Sequence, residues 1–238
     1  MMLDCQEAGR CFDHFHADYD EALARGLAVS GENKLYFARG RIAFLTSCLR
    51  EIGYRPVSVL DLGCGTGTAT PFLLDELGAQ RVVGVDASER SLEVARQLHG
   101  STRVQFLGAR EFVPRGDFTL AFCNGVFHHV PRARWGETAK LIHDSLLPGG
   151  LFALWDNNPW NPGARLVMRR IPFDRDAVML SSHEACGFLE VAGFDVSRVD
   201  HLFLFPRVLR FLRPLERALI KLPLGAQYQV LSRRPFVR

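Results

Sequence analysis

Apolar positions early in the chain recur at helical spacing. Ala38, Ile42, Leu45, Leu49 and Ile52 follow one another at intervals of four and three, one face of a helix that Gly53 ends. Residues 1–55 are therefore expected to form an N-terminal helical cap, ahead of a larger unit over residues 56–238. From Val57 the pattern changes. Short apolar runs at 57–62, 81–86, 103–107, 117–123 and 150–156 read as strands. Windows with helical period lie between them, at 67–77, 89–99 and 132–147. Ser88 and Gly100 bracket the second window, and Trp135, Ala139, Ile142 and Leu146 share a face in the third. Strands separated by helices of this length make right-handed crossovers and a parallel sheet, an α/β fold. The tail reads as a helix at 182–192, a strand at 194–204, a basic helical segment at 207–222 and a last strand at 226–232.

Bulk numbers narrow the partners. The chain has 238 residues with 29 basic and 26 acidic side chains, a net charge of +3. That near balance speaks against a nucleic-acid partner. Six cysteines are scattered with no C-x-x-C pair, so reduced thiols in a cytoplasmic protein are expected, with no disulfide frame and no metal site. The start "MMLDCQEAGR" lacks the build of a signal peptide, and no apolar run approaches the ~18 residues of a membrane span.

The densest candidate chemistry is "VLDLGCGTGTAT" at 59–70. It places Gly63, Gly65 and Gly67 directly after the first strand of the parallel region, where open parallel sheets bind ligands. Glycine tolerates backbone angles that a Cβ forbids and lets a ligand touch the main chain. The next strand ends at Asp86, placed to accept hydrogen bonds from the two hydroxyls of a ribose. A dinucleotide fingerprint needs a third glycine where this chain has Thr68.

The D-x-G-x-G-x-G spacing, with Asp61 ahead of the glycines, resembles motif I of the class I S-adenosylmethionine-dependent methyltransferases. "DFTLAFCNGVFHHVP" (117–131) and "LLPGGLFALWD" (146–156) resemble the fourth-strand and fifth-strand motifs of the ubiquinone-biosynthesis-like branch. The resemblance implies a Rossmann-like three-layer sandwich around a seven-stranded, mostly parallel sheet with an antiparallel last strand. It implies S-adenosyl-L-methionine as cofactor, with Asp61 near its amino group and Asp86 on its ribose. Gly63, Cys64, Gly65, Gly67, Ala87, Asn124 and Val126 would line its site. After the third strand the family shows an Asp-Ala pair that reads the adenine. Here the acid is replaced by Ala109, so backbone contacts from Ala109 and Arg110 are expected in its place.

Candidates for the acceptor side are fewer. His128 and His129 follow the fourth strand and Asp156 ends the fifth; these three are the candidate catalytic groups, since imidazoles titrate near neutrality. Asn157, Asn158, Asn161 and Arg165 form a polar cluster at the same sheet edge, which turn chemistry alone also explains. Tyr19, with His14 and His16, lies on the first helix, and Tyr36 and Arg39 begin another; Tyr19, Tyr36 and Arg39 join the substrate candidates. Arg207, Arg210, Arg213, Arg217 and Lys221 recur beside Leu209, Leu212, Leu215, Leu219 and Leu222, a basic amphipathic segment suited either to a lid or to peripheral contact with an anionic membrane. The expected activity is methyl transfer to a hydroxyl of a small molecule, with glycan or lipid-linked saccharide metabolism as the context suggested by the tail. Two rivals stay open. A short-chain dehydrogenase would need a Tyr-x-x-x-Lys pair that the chain lacks. A cofactor-binding partner subunit without chemistry would fit the Ala109 departure.

Overall fold

Seven strands form one sheet in the order 3-2-1-4-5-7-6. They are β1 (Ser58–Leu62), β2 (Arg81–Asp86), β3 (Val104–Gly108), β4 (Phe118–Asn124), β5 (Leu146–Asn157), β6 (Asp195–Leu202) and β7 (Gln227–Arg233). The computed structural model describes residues 19–174 and 177–236. Strands β1 to β5 pair in parallel, whereas β7 runs antiparallel to both β5 and β6. This is the mostly parallel sheet, with an antiparallel last strand, that the sequence implied.

Helices cover both faces. They are α1 (Tyr19–Leu27), α2 (Lys34–Glu51), α3 (Thr70–Asp75), α4 (Glu89–His99), α5 (Trp135–Ser145), α6 (Pro162–Arg170), α7 (Ser182–Val191) and the short α8 (Glu216–Leu219). Alternate residues of each strand serve opposite faces. Leu60, Val83, Ala121, Phe152 and Tyr228 meet Ala139 and Ile142 of α5 and Leu189 of α7. Val59, Val82, Leu120, Ala153 and Leu231 meet Ile42, Leu45 and Leu49 of α2 and Leu92 of α4. Each fully buried Leu or Ile contributes ~1.5–3 kcal/mol of transfer free energy, so α2 is an integral core helix as well as part of a cap.

Side-chain caps fix three helix starts, the one at Ser88 as the sequence suggests, while the windows at 67–77 and 132–147 shorten to Thr70–Asp75 and Trp135–Ser145. Asn33, Ser88 and Ser181 accept the first free amides of α2, α4 and α7, and Ser181 with Glu184 completes a capping box. Three expectations shift. Ile52 lies past the end of α2 and is half exposed, because the helix stops at Glu51. The helix at 162–170 is hidden in the sequence because Pro162 reads as a breaker, yet Pro162 sits at the first helical position, where its missing N–H is harmless. The basic segment is a 3-10 stretch (Arg207–Leu215) followed by α8, since Pro214 cannot continue an α-helix. Several of its cations are tied to the fold. Arg213 pairs with Glu32 at 2.8 Å and stacks over Tyr36, and Lys221 pairs with the buried Asp200 at 2.6 Å. Val208 and Phe211, earlier in the segment, stay exposed. Among the described residues no helix is long and apolar enough to cross a membrane, and Cys48, Cys64, Cys123 and Cys186 are free thiols.

Candidate active site

A cavity of about 290 Å³ opens at the carboxyl ends of β1, β2 and β4, roofed by α1 and α2. That is the small end of the ~300–1,000 Å³ range of small-molecule sites. The loop after β1 is held by the end of β2. The Gly63 and Cys64 amides donate to the Val85 carbonyl at 2.7 and 3.2 Å, and the Gly65 amide donates to Asp86 Oδ2 at 2.8 Å. Asp86 Oδ1 accepts from Ser88 at 2.9 Å. One carboxylate therefore shapes the loop and faces the cavity.

All three loop glycines have positive φ: +74° at Gly63, +53° at Gly65 and +74° at Gly67. At Gly63 a Cβ would meet Val126 Cγ2 at 2.0 Å, and at Gly65 it would enter open space. Asp61 shares the strand face of Val59, which turns it toward Arg41 of α2. Its Oδ2 is buried without a hydrogen-bond partner. Burial, reinforced by the Asp86 carboxylate and opposed by Arg41, pushes the Asp61 carboxyl up to about 7. A buried, unpaired carboxylate oxygen beside an open glycine cradle fits a ligand bringing positive charge and a hydrogen-bond donor. The ammonium and sulfonium of S-adenosylmethionine supply both, so the residues present suit that cofactor.

Of the cofactor candidates, Asp61, Gly63, Cys64, Gly65, Asp86, Ala87, Asn124 and Val126 line the cavity. Gly67 lies behind the loop, packed toward His99, Phe106 and Ala95. Ala109 is tied by its amide to the Asp86 carbonyl at 2.8 Å and packs on the core, and Arg110 is exposed; neither reaches the cavity wall.

The acceptor candidates separate further. His129 lines the cavity; His128 and Asp156 do not. Those two form a buried pair, His128 Nδ1 to Asp156 Oδ1 at 2.6 Å, and Asp174 stands next to both histidines, 3.2 Å from His129 Nε2. Burial alone would lower the His128 pKa, but the Asp156 and Asp174 carboxylates raise it well above its usual range. Burial dominates at His129 and lowers it.

The asparagine cluster is a structural latch. Asn158 is buried, donates to the Pro223 and Gly225 carbonyls at 2.9 and 2.8 Å, and accepts from the Trp160 amide. Asn161 caps α6 and donates to the Leu224 carbonyl at 2.6 Å. Asn157 accepts from Gln227 at 3.2 Å, and Arg165 is exposed. Tyr36 packs against Phe37 and Phe203, and Arg39 reaches out to Glu76 at 2.6 Å. None of these six touches the cavity. The Tyr19 side chain, with His14 and His16, lies outside the described residues. An Asn158→Ala chain is expected to lose ~1–3 kcal/mol by orphaning the buried Gly225 carbonyl and freeing the partly buried Pro223 carbonyl and Trp160 amide. Thermal melting checks this; a folded variant of unchanged Tm would contradict the latch.

Sequence reasoning missed the roof. Leu23, Lys34, Ala38 and Arg41 line the cavity from α1 and α2, and no motif marks them. The only signal was the helical stripe, since Lys34, Ala38 and Arg41 fall at the spacing of one helix face.

Fold and site together define a protein with a Rossmann-like methyltransferase sheet and a cavity at its switch point whose lining suits a nucleoside cofactor. The methyltransferase-domain family model matches residues 59–150. An uncharacterized methyltransferase of Synechocystis sp. is 35% identical over 154 residues, covering 61% of this chain and 69% of the relative. Trans-aconitate 2-methyltransferase of Azoarcus sp. is 32% identical over 115 residues, covering 48% of this chain and 45% of the relative. The chain thus matches under half the length of the curated trans-aconitate enzymes it resembles. Among solved structures, an S-adenosylmethionine-dependent methyltransferase of Thermotoga maritima shares the fold with a TM-score of 0.67 at 21% identity, over 94% of this chain and 99% of that one. The chain belongs to the class I S-adenosylmethionine-dependent methyltransferases.

Proposed function

We propose that the protein transfers a methyl group from S-adenosylmethionine to an oxygen of a small molecule, and that this oxygen belongs to a carboxylate. The observation that carries the reading is the pairing of acids and bases around one cavity. Asp61 and Asp86 line one part of the wall, and Lys34 and Arg41 line another. The two acids suit the amino group and ribose of the cofactor. The cofactor brings one carboxylate, and two cations along one helix suit that group together with an anionic acceptor. The trans-aconitate enzymes that the chain resembles act, by their name, on a polycarboxylate, which points the same way.

When bound, the cofactor supplies an electrophilic methyl carbon whose bond to sulfur breaks, the pair staying on sulfur, as the acceptor oxygen bonds to carbon. An ionised carboxylate carries no proton to remove, so no general base is required. The roof formed by α1 and α2 excludes water and aligns the acceptor, which is the main lever available to a displacement of this kind. The test is methyl transfer from labelled cofactor to a panel of polycarboxylates, including trans-aconitate, and of polyhydroxy compounds. Label released from the product by mild alkali marks an ester and supports the reading. Alkali-stable label marks an ether, which would restore the hydroxyl acceptor expected from the sequence. Cofactor binding without transfer to any member would favour a non-catalytic partner subunit.

A further inference from the structure

We propose that His128, His129 and Asp174 form a binding site for a first-row divalent metal ion at the edge of the acceptor cavity. One ligand atom from each of the three residues lies within 4.8 Å of the other two. His129 Nε2 stands 3.2 Å and His128 Nε2 3.7 Å from Asp174 Oδ1. Atoms ~2.1 Å from a common ion, at angles between octahedral and tetrahedral, are themselves ~3.0–3.4 Å apart, so small rotations of the rings bring the set into range. The 3.7 Å pair is too long for a hydrogen bond.

The fourth residue strengthens the case. His128 commits Nδ1 to Asp156 Oδ1 at 2.6 Å, which turns Nε2 toward Asp174. A carboxylate that fixes the far nitrogen of a ligating imidazole is the usual outer partner of a metal-bound histidine. His128, Asp156 and Asp174 are buried, and His129 is the member that reaches the cavity. Two imidazoles and one carboxylate suit zinc, iron, cobalt or manganese better than magnesium or calcium. Three protein ligands leave positions open, and those on the cavity side are open to an acceptor carboxylate. That last assignment rests on the carboxylate reading above; the ion site itself does not.

The experiment is a Co2+ titration of the full chain after chelator stripping, followed by ligand-field absorption, with Zn2+ calorimetry alongside. One equivalent is expected to bind, and Asp174→Ala and His129→Ala are each expected to weaken binding at least ~100-fold. Asp156→Asn, which alters only the outer partner, is expected to weaken it ~10–100-fold. His143→Ala, which removes a histidine paired with Asp144 on α5, should leave it unchanged. Circular dichroism confirms folding; should Asp174→Ala fail to fold, His129→Ala carries the comparison, its ring lying at the cavity surface. No uptake of Co2+ by the parent chain, or equal affinity in the His129 variant, overturns the site. Trans-aconitate added to the Co2+-loaded chain is expected to shift its spectrum, and an unchanged spectrum overturns the acceptor assignment. Calorimetry with S-adenosylhomocysteine, run separately, tests the cofactor site, so the two proposals fail by different measurements.

Discussion

A Gly63→Ala chain is expected to lose about 2–5 kcal/mol of stability, a Tm fall of roughly 5–15 °C. Two penalties add. A φ of +74° disfavours any Cβ by ~1–2 kcal/mol. The new methyl would also stand 2.0 Å from Val126 Cγ2, forcing β1 and β4 apart at their carboxyl ends, an overpacking of ~1–3 kcal/mol. Val126→Ala removes the struck atom, so the double variant should recover the second part and keep the first. Gly65→Ala makes the opposite case. Its Cβ meets nothing within 4 Å, so stability should fall only by the φ penalty, while S-adenosylhomocysteine affinity falls at least ~10-fold because the methyl occupies ligand space. Calorimetric affinity equal to that of the parent would place the cofactor elsewhere.

The second large effect is a pH dependence centred on Asp61. Its carboxyl is raised from 3.8 to about 7 by burial and by Asp86. The cofactor's ammonium prefers the ionised form, so binding is linked to loss of that proton. Affinity is expected to be roughly tenfold weaker at pH 6 than at pH 8, the ratio of ionised Asp61 at those two values. Stability of the ligand-free chain moves the other way. Between the unfolded and folded pKa values the native state holds a proton that the unfolded state has released. Asp61 therefore contributes stability that is full below pH 4 and lost as pH rises through 7, on the order of 4 kcal/mol. Asp61→Asn is neutral throughout. It should flatten both dependences and bind S-adenosylhomocysteine at least ~10-fold more weakly at pH 8. A parent chain with no slope in either measurement would show that Asp61 is ionised in the empty site.

These effects fall on residues that the sequence already singled out, and the reason is local. A strand, a turn of glycines and an acid at the end of the next strand are all set by short-range geometry, so "VLDLGCG" and Asp86 could be placed without knowing what packs on them. The sheet was legible for the same reason: runs such as "RVVGVD" are apolar because they are buried on both faces. The acceptor side was not legible in this way. Asn158 and Asn161 look like ligand-binding amides in "DNNPWNP", but their carbonyl partners lie on the loop before β7, and only the fold brings that loop near. No local pattern marks Asp174, because the two histidines beside it are far away in the chain. Arg41 and Lys34 carry no motif, and their place in the cavity wall follows from α2 crossing the carboxyl ends of the strands. Position along the chain suggests a ribose for Asp86, and only the fold shows that its carboxylate holds the Gly65 amide. Alanine at that position would disturb the loop itself.

The placement of β7 between β5 and β6 governs how the chain can reach its native state. Its buried Tyr228, Val230 and Leu231 supply core to both faces, yet they follow both neighbouring strands in the chain. Until they dock, β5 presents an unpaired rim and β6 has no neighbour in the sheet. Such a half-built sheet is a surface that other chains can pair with. Assembly of the sheet therefore needs a late insertion between two strands already made, and any change that weakens β7 strips β6 from the sheet as well.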